Sequence, residues 1–139
     1  MNKMTKTRPF TQALTQLNEV GLRPTRQRLA LMKLLFEKGD CHLTAEQLHS
    51  MARNADVKVS LATVYNTLHQ FKDVGILREV VVEAGRSYFD TNIGEHHHFF
   101  NETTGELSDV PPGFLSVSDL PMPPTGTSFE SVDVIVRVK

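Results

Sequence analysis

The amino-acid sequence predicts an α+β fold in which a helical N-terminal half precedes a smaller, strand-rich C-terminal half. Hydrophobic residues follow helical spacing as far as Gly75 and extended spacing after it. Charge changes along the chain as well: residues 1–86 contain 13 Lys and Arg against 8 Asp and Glu, and residues 87–139 contain 2 against 8. A basic first half favours an anionic partner such as nucleic acid, although solvated helix faces also cluster charge.

The first two helices are each indicated by helical hydrophobic spacing that ends at a glycine. The first extends from Phe10 to Val20 and stops at Gly21, whereas the second begins near Thr25 and stops at Gly39. The residues on the core face of the second helix are Leu29, Met32, Leu35 and Phe36.

A capping box indicates the start of the third helix. Thr44 stands at the N-cap, Gln47 follows three residues later, and Leu43 with Leu48 provides the hydrophobic staple. This combination predicts a helix that begins directly after Thr44.

Ser60 caps the fourth helix, which ends at Gly75. Its predicted core face consists of Leu61, Val64, Leu68 and Phe71. Its outer face holds small or hydrogen-bonding side chains, namely Ala62, Thr63, Tyr65, Asn66, His69 and Gln70. Such a face suits the major groove of DNA, and a merely solvated face is the alternative.

Two extended runs follow the fourth helix, residues 76–82 and residues 86–89, separated by a turn at Glu83, Ala84 and Gly85. This pattern predicts a β-hairpin. Helices closed by such a hairpin match the plan of a winged helix-turn-helix domain.

Three consecutive histidines open the C-terminal half, in the run HHHFFN, which a turn separates from ELSDV. The two runs predict antiparallel strands, so His96 and His98 share a face that His97 does not. A two-residue turn at Thr103 and Thr104 places Asp109 opposite His98. Two imidazoles and a carboxylate suit Fe, Mn, Co or Zn rather than calcium, and surface decoration is the alternative.

The remaining segment is too rich in proline for a long helix, and at most a short one fits from Phe114 to Leu120. The run SFESVDVIVRV then predicts a third strand. A three-stranded sheet of this size does not bury both faces alone, so we expect a second copy to cover it.

Composition excludes several classes of protein. No apolar run is long enough for a signal peptide or a membrane span, so we expect a cytoplasmic protein without membrane contact. The single cysteine, Cys41, excludes an intramolecular disulfide framework and a thiolate-only zinc cage. A small metalloenzyme is an alternative, but no nucleophile-base pair or glycine-rich phosphate loop supports one.

The segments LRPTRQRL, CHLTAEQL, SLATVYNTLHQFKDVGIL, GRSYFD and HHHFFNETTGELSDV together resemble the ferric uptake regulator family of transcription factors. The resemblance covers residues 14 to 138. It implies a homodimer that binds AT-rich palindromic operator DNA. In each subunit, residues 1–90 would form a winged-helix DNA-binding domain and residues 91–139 a small α/β dimerisation and sensing domain.

By position, the resemblance also implies functional residues. A regulatory site for Mn or Fe, with Zn as a third candidate, falls on His42, Asp90, His96, His98 and Asp109. The implied DNA contacts are Arg23, Ser60, Thr63, Tyr65 and Asn66. Many members carry arginine at the position of Asn66, so adenine rather than guanine is expected there.

Departures from the family pattern point to a subgroup. Asn101 and Thr104 replace two zinc-binding cysteines, which implies that no structural zinc site is present. Glu95 and His97 replace ligands of a further metal site. The HHHFF run resembles the iron response regulator subgroup, whose members act on DNA under low iron and are inhibited by haem; this implies haem at His96, His97 and His98. The peroxide-responsive branch of the family, using the five-residue metal site, is the alternative.

Overall fold

The computed structural model describes residues 9–37 and 39–139, so the first eight residues of the expected N-terminal domain lie outside it. The fold is α+β. Its elements, in chain order, are α1 (Pro9–Glu19), α2 (Arg26–Glu37), β1 (His42–Leu43), α3 (Ala45–Asn54), α4 (Leu61–Asp73), β2 (Arg78–Glu83), β3 (Arg86–Asp90), β4 (His98–Asn101), β5 (Leu107–Asp109) and β6 (Ile135–Val138).

The capping signals in the sequence are confirmed. The backbone N–H of Gln47 donates to Thr44 Oγ1 at 3.1 Å, and the Thr44 N–H donates to Gln47 Oε1 at 2.8 Å. Leu43 and Leu48 are both buried in the same hydrophobic cluster, as a staple requires. Ser60 caps α4, since its Oγ accepts the N–H of Thr63 at 3.1 Å.

The helix faces differ from the expected ones at two places. In α2 the fully buried residues are Leu31, Met32 and Leu35, whereas Leu29 and Phe36 are only partly buried. In α4 the prediction for Leu61 is wrong, because its side chain is 37% exposed and Thr67 is buried instead. Leu61 is the first residue of α4 and stands at the edge of the apolar stripe that Val64, Leu68 and Phe71 define.

Two three-stranded sheets organise the rest of the chain. The first has the order β1-β3-β2 and is antiparallel throughout. Its hairpin, β2 and β3, is the predicted one, with a two-residue turn at Ala84 and Gly85 between the paired Glu83 and Arg86. The short strand β1 was not predicted. In the second sheet, of order β5-β4-β6, β4 is antiparallel to β5 and parallel to β6.

The loop between β4 and β5 is longer than the predicted turn, but the strand register is the predicted one. It is a four-residue loop over residues 102–105 rather than a two-residue turn, since the Asn101 N–H donates to the Glu106 carbonyl at 2.9 Å. The Asn101 side chain closes this loop by accepting the N–H groups of Thr103 and Thr104. The pairing register is the expected one, and Asp109 lies opposite His98.

The C-terminal segment is less regular than the sequence suggests. No helix forms between Phe114 and Leu120. The last strand covers only Ile135–Val138 rather than the whole run from Ser128. Prolines interrupt backbone hydrogen bonding over much of this segment, which keeps the chain irregular there.

Two hydrophobic clusters lie on either side of β3. The larger one fills the helical half and includes Phe89, and the second lies between the hairpin and the second sheet. The buried members of the second are Val80, Val82, Tyr88, Phe100 and Leu107. Because alternate side chains of β3 enter different clusters, this strand joins the two halves of the chain. Within residues 9–37 and 39–139, no helix is long and apolar enough to cross a membrane.

Candidate metal centre and nucleic-acid interface

Five side chains that are typical metal ligands converge between the two sheets. They are His42, Asp90, His96, His98 and Asp109, and one ligand atom from each lies within 4.8 Å of all the others. All five are residues that the family resemblance implied.

Strand pairing brings these side chains together. His42 in β1 lies opposite Asp90 at the end of β3, and His98 in β4 lies opposite Asp109 at the end of β5. His96 comes two residues before β4. Each sheet therefore contributes one imidazole-carboxylate pair, and the connection between the sheets contributes the fifth group.

One oxygen atom of Asp90 is close to all three imidazoles. The distances from Asp90 Oδ2 to Nε2 are 2.7 Å for His96, 3.1 Å for His98 and 3.3 Å for His42. Asp109 Oδ1 lies 2.7 Å from Nε2 of His42, 3.3 Å from that of His96 and 3.5 Å from that of His98. All three Nε2 atoms thus point at the same small volume.

The hydrogen bonds of His96 show why this volume suits a cation. Its Nδ1 lies 2.6 Å from the Gly94 carbonyl oxygen, which only accepts, so Nδ1 must carry the hydrogen. In neutral His96 the Nε2 atom then carries a lone pair and no hydrogen, and this lone pair faces Asp90 Oδ2 at 2.7 Å. These two atoms repel each other unless a proton or a metal ion lies between them. Metal-binding histidines typically donate the other ring N–H to a carbonyl in this way.

His98 is held differently. Its side chain is fully buried, and its Nδ1 has no hydrogen-bond partner among the residues that the structure describes. Ligation through Nε2 would leave the Nδ1 hydrogen without an acceptor, so His98 lacks the carbonyl partner that orients His96.

The two resolved pKa shifts agree with a charged cluster. Burial raises the pKa of the Asp90 carboxyl, but hydrogen bonds from His42, His98 and the Asn92 N–H outweigh it and hold that pKa well below its usual range. The pKa of His42 is raised from 6.5, mainly by its hydrogen bond with Asp90, against the opposing effect of burial. Asp90 is therefore ionised at neutral pH and attracts positive charge.

His97 lies apart from this cluster, as strand alternation predicts. Its Nδ1 accepts the N–H of Val134 at 3.2 Å. Its side chain lines a groove of about 510 Å³ that His96 also lines. The apolar residues of this groove include Leu115, Val117, Leu120 and Phe129. Of the three histidines expected to bind haem, two thus lie in the cluster and the third lines the groove.

The expected DNA contacts lie on and near the outer face of α4. Tyr65 and Asn66 are exposed there, and Thr63 is partly buried. The Ser60 hydroxyl donates to Thr63 Oγ1 at 2.9 Å, so these two groups form part of the helix cap. Arg23 is exposed in the segment before α2.

Arg28 connects these surfaces, and the sequence patterns did not single it out. Its Nη1 donates to the Arg23 carbonyl at 2.7 Å, and its Nη2 and Nε donate to Gln70 Oε1 at 3.1 and 3.3 Å. The Gln70 oxygen is thereby occupied, which leaves only its amide hydrogens for a partner. A bidentate contact with adenine needs both groups, so Gln70 is not an adenine reader in this arrangement.

Two other arginines join the hairpin to the C-terminal segment, and they too were missed. Arg78 donates to the Gly94 carbonyl at 3.1 Å and forms an ion pair with Asp133. Arg137 in β6 donates to the carbonyl of Val82 in β2. The opposite charges of the two halves of the chain were the available signal, although they do not indicate which residues meet.

These observations define an α+β protein with a candidate metal centre between a helical half and a small sheet. The chain belongs to the ferric uptake regulator family, whose model matches residues 19–113. Members of this family are transcription regulators and not enzymes.

Two bacterial repressors are similar to this chain in sequence. A peroxide-responsive repressor of Staphylococcus epidermidis is 34% identical over 98 residues, covering 70% of this chain and 65% of the relative. Its counterpart in Staphylococcus aureus strain Mu50 is 33% identical over 98 residues, covering 70% of this chain and 66% of the relative. The chain thus spans slightly less than two thirds of the length of these relatives.

Solved structures share the fold. The ferric uptake regulator of Pseudomonas aeruginosa with manganese has a TM-score of 0.69 at 22% identity, covering 91% of this chain and 96% of that one. The regulator of Vibrio cholerae has a TM-score of 0.70 at 22% identity, covering 90% and 97%. At this identity the likeness concerns the fold alone.

Proposed function

We propose that this protein is a metal-responsive regulator of transcription that binds operator DNA as a homodimer. Residues 1–90 form its winged helix-turn-helix DNA-binding domain, and residues 91–139 form its dimerisation and sensing domain. The observation that carries this proposal is the convergence of five ligand-type side chains, drawn from both sheets, within 4.8 Å. Family membership and the similar peroxide-responsive repressors support the regulatory role.

In this proposal the five side chains hold one divalent ion, Mn or Fe, with Zn as a third candidate. Imidazole nitrogen and carboxylate oxygen suit these ions. The ion supplies positive charge, which relieves the repulsion between the Asp90 oxygen and the bare Nε2 of His96. Because His42 and Asp90 belong to the first sheet and Asp109 to the second, ligation fixes one sheet relative to the other. DNA affinity then depends on the metal through this arrangement.

The proposed DNA interface consists of Arg23, Ser60, Thr63, Tyr65 and Asn66. Tyr65 and Asn66 are exposed on one side of α4, where a thymine methyl and an adenine edge are suitable partners. An arginine such as Arg23 suits the narrow minor groove of AT-rich DNA. We therefore propose an AT-rich palindrome as the operator.

Exposed apolar side chains support the homodimer. Phe114 is 81% exposed and Met122 is 91% exposed, both in the C-terminal half. A second copy that covers them would remove this surface from water. A monomer at micromolar concentration in analytical ultracentrifugation would refute this part of the proposal.

The proposal includes no structural zinc site. Asn101, at one of the two positions where the family pattern has cysteine, accepts two backbone N–H groups and closes the loop after β4.

Two signals are candidates for switching the regulator. Peroxide is supported by the similar peroxide-responsive repressors. Hydrogen peroxide would supply the oxygen atom that is added to a site histidine, with bound iron as the promoter and water as the reduced product, and the oxidised ring would no longer hold the metal. Haem is supported by the groove of about 510 Å³ beside His96 and His97, whose apolar residues suit a porphyrin. In the haem case the protein acts on DNA under low iron, and haem at His96, His97 and His98 inhibits it, as in the iron response regulator subgroup.

Operator binding by the purified protein tests the proposal. A pool of random duplexes is first selected with Mn²⁺-loaded protein, and the affinity for the selected duplex is then measured with Mn²⁺, with a chelator and with haem. We expect Mn²⁺ to tighten binding. Equal affinity with Mn²⁺ and with chelator would contradict the proposal.

His96→Ala and His97→Ala are a matched pair of variants that help to identify the signal. His96 belongs to the metal cluster, whereas His97 lines the groove and accepts the Val134 N–H outside the cluster, so His97→Ala should keep the Mn²⁺ response. Loss of a haem response in His97→Ala supports the haem signal. One added oxygen atom on His42 or His96 after treatment with iron and peroxide supports the peroxide signal.

A further inference from the structure

An aromatic contact connects the outer face of α4 with the interior. The rings of Tyr65 and His69 are stacked, with centroids 5.4 Å apart and planes inclined by 26°. The His69 ring meets the Phe89 ring edge-on, with centroids 5.5 Å apart and an interplanar angle of 87°. Tyr65 is 36% exposed, whereas Phe89 is fully buried, so the three rings extend from surface to core.

The inner end of this contact lies beside the candidate metal centre. Phe89 directly precedes Asp90 in β3, and the two side chains point to opposite sides of the strand. Both residues also pair with β1, because Leu43 lies opposite Phe89 and His42 lies opposite Asp90. A displacement of the backbone at Asp90 therefore displaces Phe89.

We propose that His69 is a positioning residue that holds Tyr65 for DNA and makes its orientation respond to the metal centre through Phe89. This inference rests on the proposed function, since it requires both operator binding and a metal response. In this inference His69 acts through its contacts with Tyr65 and Phe89, and it is not one of the five side chains of the metal cluster.

Packing explains how a ring contact transmits a displacement. Phe89 belongs to the close-packed helical core, where side chains have little room to yield. His69 is braced against it, and Tyr65 in turn rests on His69 one helical turn earlier. Stacking restricts the Tyr65 ring before DNA arrives, which lowers the ordering cost of binding. When the cluster holds β3 in place, the bracing ring is held in place as well.

The experiment compares operator affinity with Mn²⁺ and with chelator in the wild type, His69→Ala and His69→Phe. His69→Phe keeps a ring of similar size between Tyr65 and Phe89 and serves as the matched control. For His69→Ala we expect operator affinity with Mn²⁺ to fall about two- to tenfold, the range that one aromatic pair represents. Its affinity with chelator should fall less, so the ratio between the two conditions should decrease.

Mn²⁺ binding separates positioning from damage to the site. Without DNA, His69→Ala should bind Mn²⁺ as tightly as the wild type does, and its thermal midpoint should show a folded protein. With saturating operator, its Mn²⁺ affinity should fall by the same factor as the ratio of the two operator affinities, because coupling is reciprocal. His69→Phe should restore most of the ratio.

Two results would overturn the inference. If His69→Ala weakens operator binding equally with Mn²⁺ and with chelator, His69 does not connect Tyr65 to the metal centre. If operator affinity does not change at all, His69 does not position Tyr65. If the wild-type protein binds the operator equally well with Mn²⁺ and with chelator, the proposed function itself is contradicted, and this inference is contradicted with it.

Discussion

Replacing each carboxylate of the cluster should separate folding from metal binding. Asp90 and Asp109 both lie within hydrogen-bonding distance of His42, yet the Asp90 side chain is 1% exposed and that of Asp109 is 42% exposed. Asp90→Asn removes a buried negative charge that contacts three imidazoles and the Asn92 N–H. Breaking one partner of a buried ion pair costs about 3–5 kcal/mol.

Asp109→Asn should be much milder for folding. An ion pair that is partly open to solvent contributes about 0–1 kcal/mol to stability. In urea denaturation of the metal-free protein, we therefore expect Asp90→Asn to lower the free energy of unfolding by about 3 kcal/mol or more, and Asp109→Asn by about 1 kcal/mol or less.

Repeating the measurement with Mn²⁺ tests ligation. Mn²⁺ should stabilise the wild type, because a ligand that binds only the folded state raises the free energy of unfolding. Both variants should lose most of this added stability, since each lacks one proposed ligand. Equal destabilisation of the two metal-free variants would refute the reasoning from burial. An unchanged Mn²⁺ effect in Asp109→Asn would remove Asp109 from the site.

Three further predictions concern DNA binding and pH. Tyr65→Ala should weaken operator binding by about 1–3 kcal/mol in a gel-shift titration without unfolding the protein. Arg28→Ala and Gln70→Ala should each weaken binding, and their effects should be non-additive in a double-mutant cycle, because Arg28 holds the Gln70 oxygen; additive effects would indicate separate DNA contacts. Mn²⁺ affinity, measured by calorimetry, should fall as the pH decreases through the raised pKa of His42, because the proton competes with the ion. In the metal-free protein, protonated His42 stabilises the fold. This contribution is complete below pH 6.5 and is lost as the pH rises through the raised pKa. An affinity independent of pH between 6 and 8 would contradict His42 as a ligand.

Local signals in the sequence predicted much of the fold. The capping box at Thr44 and the cap at Ser60 depend on residues at most three positions apart, and both are present. The pairing of His98 with Asp109 was predicted although the turn was wrong, because a four-residue loop over residues 102–105 keeps the register of a two-residue turn.

Contacts between distant residues account for what was missed. Strand β1 has two residues and exists only because β3 pairs with it, so no local pattern indicates it. The contacts of Arg28 with Gln70 and of Arg78 with Asp133 join residues 42 and 55 positions apart. Charge composition suggested only an anionic partner for the first half, whereas the partners of these arginines depend on the packed fold.

In the candidate site too, local spacing predicted some of the residues, whereas the others depend on contacts between distant parts of the chain. His96 and His98 have ligand spacing, and strand pairing adds Asp109. His42 and Asp90 came from the family resemblance alone, because nothing near either residue indicates a metal. Their position follows from the pairing of β1 with β3, which brings both beside the histidines.

The coordination of Mn²⁺ in the loaded protein tests the central claim most directly. Pulsed electron paramagnetic resonance counts the imidazole nitrogens that are bound to the ion. The five-residue site predicts one Mn²⁺ per chain with nitrogen couplings from His42, His96 and His98, and loss of one coupling in His96→Ala. A bound Mn²⁺ that shows water ligands only, with no imidazole nitrogen, would contradict it.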